Sequence, residues 1–87
     1  MPTAQKTKVL IVEDDSDIQE CLRIFLELEG YEIQTAFNGQ EALKLLADGV
    51  RPDLILLDLM MPIMNGYEFL TYAKSTPNLA EIPIVLL

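Results

Sequence analysis

Carboxylates directly follow two apolar runs of the sequence. Glu13, Asp14 and Asp15 come after the first run, and Asp58 comes after another run farther along the chain. If these runs are neighbouring parallel strands, the acids converge at the carboxyl ends of the strands, where open parallel sheets form their binding sites. Crowded carboxylates repel one another, and a divalent cation such as Mg²⁺, which accepts carboxylate and carbonyl oxygens, would relieve the repulsion. Since no Lys or Arg lies near either acidic turn in the sequence, a metal site is favoured over a cluster of salt bridges.

Not every acid of the first turn needs such a role. Asp15 and Asp17 are most simply explained by the positive end of a helix dipole, which stabilises carboxylates in the first helical turn. That explanation is weaker for Asp14 and Asp58. A simple turn after Asp58 would not require the Met-Pro and Asn-Gly pairs that follow it.

Short apolar runs alternate along the chain with amphipathic segments, which is typical of βα units around a parallel sheet. The predicted strands cover residues 9–12, 31–36, 54–57 and 84–87. The predicted helices begin at Ser16, Asn38 and Asn65 and end at Gly30, Gly49 and near Pro77. The predicted order is therefore β1-α1-β2-α2-β3-α3-β4, an α/β architecture.

The same patterns predict helix caps and core residues. Polar pairs three residues apart indicate capping at each helix start: Ser16 with Gln19, Asn38 with Glu41, and Asn65 with Glu68. Residues on the apolar helix faces are expected in the core: Phe25, Tyr67, Phe69 and Cys21, the last as a small hydrophobe rather than a reactive thiol.

Composition excludes several classes of function. Of the 87 residues, 51% are apolar and 23% charged, and six Lys and Arg against fourteen Asp and Glu give a net charge of −8. Such an acidic chain repels phosphate backbones and anionic membranes, so nucleic-acid and membrane binding are not expected. No His and one Cys exclude zinc clusters, histidine catalysis and an internal disulfide. Glycine-rich nucleotide-binding motifs and long apolar segments are absent from this sequence, which predicts a soluble, cytoplasmic protein.

The two acidic segments together resemble the response-regulator receiver domain, a cytoplasmic phospho-acceptor module of two-component signalling. The resemblance rests on Val-Leu-Ile-Val-Glu-Asp-Asp at residues 9–15 and on Leu-Ile-Leu-Leu-Asp-Leu-Met-Met-Pro-Ile-Met-Asn-Gly at residues 54–66. It implies a flavodoxin-like, doubly wound parallel sheet with the strand order 2-1-3-4-5. It covers residues 8–87, so the last strand and two helices of that fold are expected to be missing.

The resemblance also implies roles for individual residues. Asp58 would accept the phosphoryl group, Asp14 would bind Mg²⁺ directly, Glu13 would bind it through water, and Met60 would supply a main-chain carbonyl. Pro62 would restrict the main chain of the loop that follows Asp58, and Met61 and Met64 would pack around that loop. Gly66 would permit a close approach of the main chain. The partner would be a histidine kinase or a histidine phosphotransfer protein, and the domain would be a signalling module rather than an enzyme with its own substrate.

The expected organisation is a flexible tail at residues 1–7 followed by a receiver domain at residues 8–87 that is truncated at its C-terminus. An uncovered fourth strand would then favour self-association or strand exchange.

Two alternatives stay open. A receiver-like scaffold or fragment could bind partners without phosphoryl chemistry. A Mg²⁺-dependent phosphohydrolase with an aspartate nucleophile is the other alternative, since Asp15-Ser16-Asp17 provides a D-x-D pattern, although this pattern follows the first strand at a distance.

Overall fold

The described part of the chain contains four strands and three helices, which alternate in the predicted order. The computed structural model describes residues 6–60 and 65–87. The elements are β1 (Lys8–Val12), α1 (Ser16–Leu28), β2 (Glu32–Ala36), α2 (Gly39–Ala47), β3 (Leu54–Leu57), α3 (Gly66–Ser75) and β4 (Ile84–Leu86). Most of the expected tail at residues 1–7 lies outside the described residues. Met61, Pro62 and Met64, for which roles in the loop were expected, lie outside them too.

All strands pair in parallel, in the order β2-β1-β3-β4. The central strand β1 lies between β2 and β3, and its last residue, Val12, pairs with Ala36 on one side and Leu57 on the other. The carboxyl ends of three strands are therefore level. The expectation that β1 and β3 are neighbours is confirmed, and with it the convergence of the turns that follow them.

The two faces of the sheet carry different layers. Leu10 and Val12 point into a core that α2 and α3 complete, with Leu46 and Phe69 fully buried. Side chains alternate along a strand, so Val9 and the other odd-numbered residue of β1 face the opposite side, where α1 packs on β1 and β2. This arrangement follows from right-handed β-α-β connections that run first to one side of β1 and then to the other.

The prediction of which residues of α1 face the core is wrong in part. Phe25 is 60% exposed and Cys21 is exposed, whereas Gln19 is the buried residue of this helix. More than half of the residues of α1 are apolar, so the spacing of apolar residues does not select one side. The prediction for α3 is also wrong at Tyr67, which is 61% exposed, and is confirmed at Phe69.

β4 lies at one edge of the sheet. Its side chains are less covered than those of β1, and Val85, Leu86 and Leu87 are about half exposed. In the part of the chain that the structure covers, every helix is too short or too polar to cross a membrane.

Candidate functional site

The acids meet because the main chain carries them together just past the ends of the strands. The N–H of Asp58 donates to the carbonyl of Val12 at 3.0 Å, and the N–H of Glu13 donates to the carbonyl of Ala36 at 3.0 Å. Each of these hydrogen bonds extends the strand pairing by one residue beyond the last pair of the ladder. Carboxylate oxygens of Glu13, Asp14 and Asp58 consequently lie within 4.8 Å of one another. These three residues form the acidic cluster.

Exposure to solvent differs sharply within the acidic cluster. Asp14 is exposed and Asp58 is half-buried, but Glu13 is only 5% exposed. Burial raises the pKa of the Glu13 carboxyl from 4.5 to about 7, a hydrogen bond from the Asp15 N–H opposes the rise, and the neighbouring Asp58 adds to it. Desolvation and like charge both disfavour ionisation here. The cluster therefore holds a carboxyl group whose charge changes close to neutral pH.

Asp15 has a different task from its neighbours. Its side-chain Oδ1 accepts hydrogen bonds from the N–H groups of Asp17, at 2.9 Å, and Ile18, at 3.1 Å, so Asp15 is the N-cap of α1. The predicted capping box of Ser16 with Gln19 is therefore wrong, because Ser16 is already the first helical residue. The N–H of Asp15 donates to Glu13 Oε2 at 3.1 Å, which fixes one oxygen of the buried carboxylate.

The N–H groups of Met60 and Gly66 make hydrogen bonds close to Asp58. Oδ1 of Asp58 accepts a hydrogen bond from the N–H of Met60 at 3.0 Å, and the N–H of Gly66 donates to the carbonyl of Leu59 at 3.0 Å. A Cβ atom on Gly66 would lie 2.6 Å from the carbonyl oxygen of Asp58. The predicted close approach at Gly66 is thus confirmed, and only glycine fits where α3 begins beside this strand end.

Predicted caps at the other helices are confirmed. The side chain of Asn38 accepts from the N–H of Glu41 at 2.9 Å, and Asn65 and Glu68 bond reciprocally in a capping box. Asn65 therefore has the predicted capping role at the start of α3.

Sequence reasoning missed the role of Gln19. This residue is 7% exposed, and its Nε2 donates to the carbonyl of Glu13 at 3.2 Å and to that of Ala36 at 3.0 Å. A signal was present in the sequence, because Gln19 lies in line with Leu22 and Leu26 at helical spacing. A polar residue among the apolar residues on the buried face of a helix is expected to make hydrogen bonds in the interior.

The acidic cluster fits a small, hard cation. Mg²⁺ prefers oxygen ligands at about 2.0–2.1 Å in an octahedron, so oxygens on opposite sides of the ion are about 4.2 Å apart. The spread of the three carboxylates, within 4.8 Å, is close to that size. Among residues 6–60 and 65–87, the salt bridges join Arg23 to Glu20 and Glu27, so no Lys or Arg side chain neutralises the cluster.

A family model described as the response regulator receiver domain matches residues 9–87. The chain belongs to the receiver domain family. Its topology agrees with that assignment. The signal receiver domain of a histidine kinase from Syntrophus aciditrophicus has a TM-score of 0.89 and 42% identity over 93% of this chain and 61% of that chain. The chemotaxis protein CheY4 of Vibrio cholerae has a TM-score of 0.86 and 35% identity over 94% of this chain and 68% of that one.

Curated relatives of this receiver domain are longer proteins. The CpxR homolog of Haemophilus influenzae, a transcriptional regulatory protein, is 42% identical over 81 residues, 93% of this chain and 34% of that protein. The response regulator MprA of Mycolicibacterium vanbaalenii is 40% identical over 80 residues, 92% of this chain and 33% of that protein. The chain thus spans about a third of the length of the curated relatives it matches.

Proposed function

We propose that this receiver domain accepts a phosphoryl group on Asp58, aided by Mg²⁺ that Glu13, Asp14, Asp58 and the main-chain carbonyl of Met60 hold. The observation that carries the proposal is the convergence of three carboxylates, with no neutralising Lys or Arg among the described residues, in a chain of this family. Residues 8–87 are proposed to form the receiver unit, in a cytoplasmic protein.

The proposed reaction is a phosphoryl transfer from a phosphohistidine. One carboxylate oxygen of Asp58 attacks phosphorus and forms a P–O bond, while the P–N bond to the imidazole breaks. The imidazole nitrogen keeps the electron pair and takes up a proton. Mg²⁺ supplies the charge neutralisation that lets one anion approach another. The N–H of Met60 holds Asp58 through Oδ1 and so restricts the rotation of the attacking carboxylate.

The phosphohistidine is proposed to lie outside residues 1–87, because these residues contain no His. A histidine kinase or a histidine phosphotransfer protein is the proposed partner. The net charge of −8 disfavours binding of nucleic acid or of an anionic membrane by this segment.

We also propose that copies of this chain associate with one another through β4. This strand is at the sheet edge, and about half of the surface of Val85 and Leu86 is exposed. Exposed apolar edges pair with other strands. Sedimentation velocity at increasing concentration should show dimers or larger species, and a monomer throughout would remove this element of the proposal.

Intact-mass measurement tests the phosphoryl chemistry. The chain is incubated with a small acyl phosphate, with and without Mg²⁺, beside Asp58→Asn. The matched control is Asp48→Asn, which changes an exposed acid at the far end of α2. We expect one added phosphoryl group on the wild type and on the control, and none on Asp58→Asn or without Mg²⁺. Equal phosphorylation of Asp58→Asn would refute the assignment. No addition to the wild type would favour the scaffold without phosphoryl chemistry.

The phosphohydrolase alternative has less support. Its nucleophile would be Asp15, whose carboxylate is already used to cap α1 through two hydrogen bonds. Receiver domains are signalling domains, and we propose no turnover of a separate substrate.

A further inference from the structure

Gln19 connects three elements at the edge of the sheet that carries the acidic cluster. Its side chain extends from α1, and its amide donates to the last carbonyl of β2, at Ala36, and to the carbonyl of Glu13 just beyond β1. The carbonyl of Ala36 also accepts the N–H of Glu13 at 3.0 Å. The main chain of Glu13 is therefore bonded through both its N–H and its carbonyl.

An amide group is well suited to this position. The strand ladder ends at Val12 and Ala36, so the carbonyl of Glu13 has no further strand to pair with. Carbonyls in a largely buried place need donors, and the NH₂ of glutamine provides two of them. A carboxylate could not donate, and an apolar side chain of the same length would leave both carbonyls without this partner.

The main chain of Glu13 in turn determines where two members of the acidic cluster lie. Glu13 and Asp14 are consecutive, and the following N–H, from Asp15, donates to Glu13 Oε2. Carboxylates that repel one another tend to move apart unless the turn beneath them is fixed. Mg²⁺ tolerates little deviation from an octahedron, so a small displacement of these oxygens lowers its affinity.

We propose that Gln19 is a positioning residue for the acidic cluster: its amide fixes the Glu13 main chain and so sets the affinity of the cluster for a divalent cation. The inference rests on the proposed function, because it assumes that the cluster binds Mg²⁺. It adds a residue outside the three carboxylates, which acts through the turn. Mutation of residues that hydrogen-bond to metal ligands and orient them typically lowers metal affinity by about 10- to 100-fold.

Mg²⁺ titration by calorimetry tests the inference with Gln19→Met, which keeps the length of the side chain and removes both donors. Gln19→Asn is a second variant whose amide is too short to reach both carbonyls, and it decides the matter if Gln19→Met does not fold. The matched control is Ile55→Val, a buried change in β3 on the other face of the sheet from α1. Asp14→Asn checks that the measured binding belongs to the acidic cluster.

We expect the Gln19→Met variant to bind Mg²⁺ about tenfold more weakly or worse, and Gln19→Asn to be weakened in the same direction. Ile55→Val should stay within about twofold of the wild type, because distant sites act independently. In the metal-free protein, the NMR signal of the Asp15 amide proton should move in Gln19→Met and stay in Ile55→Val. A merely structural role for Gln19 would lower the stability of the variant and leave the Mg²⁺ affinity of the folded protein unchanged.

The outcomes separate the inference from the proposed function. Wild-type affinity in either folded Gln19 variant, or an equal loss in Gln19→Met and Ile55→Val, overturns the inference and leaves Mg²⁺ binding by the cluster intact. If the wild type shows no Mg²⁺ binding that Asp14→Asn abolishes, the metal part of the proposed function fails and the inference fails with it.

Discussion

Glu13 should make the metal-free protein less stable as the pH rises through neutrality. The pKa of its carboxyl in the folded protein is raised by burial to about 7, against an ordinary value of 4.5. Between these two values the folded state binds more protons than the unfolded state, so stability falls with increasing pH. Below pH 4.5 the carboxyl is protonated in both states, and above pH 7 it is ionised in both.

The size of the effect follows from the shift. A rise from 4.5 to about 7 corresponds to about 3 kcal/mol, at about 1.4 kcal/mol per pH unit. Asp14 beside it is exposed and Asp58 is half-exposed, so water screens the charges and we expect about 2 kcal/mol. Glu13→Gln keeps the shape and cannot ionise. This variant should therefore be more stable than the wild type by about 2 kcal/mol at pH 8 and similar to it at pH 4.5.

Urea unfolding in the presence of EDTA, at several pH values from 4.5 to 8, measures this difference. The sequence has no Trp, so far-UV circular dichroism is the appropriate signal. Glu81→Gln is the matched control, since Glu81 is exposed and outside the cluster. The control should follow the wild type at every pH.

The reasoning is refuted if the stability difference between Glu13→Gln and the wild type does not grow with pH. It is also refuted if the stability difference between Glu81→Gln and the wild type grows with pH to the same extent. The pH dependence of stability would then come from the net charge of −8 and not from the buried carboxyl.

Three further predictions concern the fold around the cluster, and urea unfolding checks each of them. Phe69→Ala should cost about 3–5 kcal/mol because Phe69 is fully buried, whereas Phe25→Ala, at 60% exposure, should cost less than about 1 kcal/mol; equal losses would contradict the assigned interior side of α1. Gly66→Ala should cost more than about 2 kcal/mol because its Cβ would meet the carbonyl of Asp58, and wild-type stability would exclude that contact. Asp15→Ala should cost about 1 kcal/mol through the lost N-cap, while a neutral result would show that Asp15 is not the cap.

The strands could be predicted from the sequence because their signal is local. Val9 to Val12 form a uniformly apolar run, and all four residues are buried on both faces of the sheet. The acids that follow such a run must lie at the carboxyl edge of the sheet, so the position of Glu13, Asp14 and Asp58 was predictable once β1 and β3 were taken as neighbours. Caps such as Asn38 and Asn65 carry a similarly local signal.

The orientation of α1 could not be predicted in the same way. Apolar residues occupy more than half of this helix, so its periodicity is compatible with several buried sides. The choice depends on the length of the turn between Val12 and the N-cap. Both Asp15 and Ser16 are good capping residue types, and only the turn geometry decides between them. That geometry also brings Gln19 inward, where the sequence pattern alone suggested Phe25.

Three local exceptions to the rules of folding lie at one edge of the sheet. Glu13 is a buried carboxyl with a raised pKa, Gln19 is a buried amide in an apolar row, and Gly66 occupies the first turn of a helix where a better helix former would clash. They lie in three different parts of the chain, yet each belongs to, is bonded to or is in contact with the main chain that carries the acidic cluster. An ionised carboxyl buried at Glu13 and a glycine within a helix both cost stability in themselves, and the buried amide of Gln19 needs its two hydrogen bonds to offset its desolvation. Defects without a function would be spread over the fold, whereas stability is given up locally where a protein performs chemistry. Their coincidence around Asp58 is therefore an argument for the acidic site that does not depend on the family.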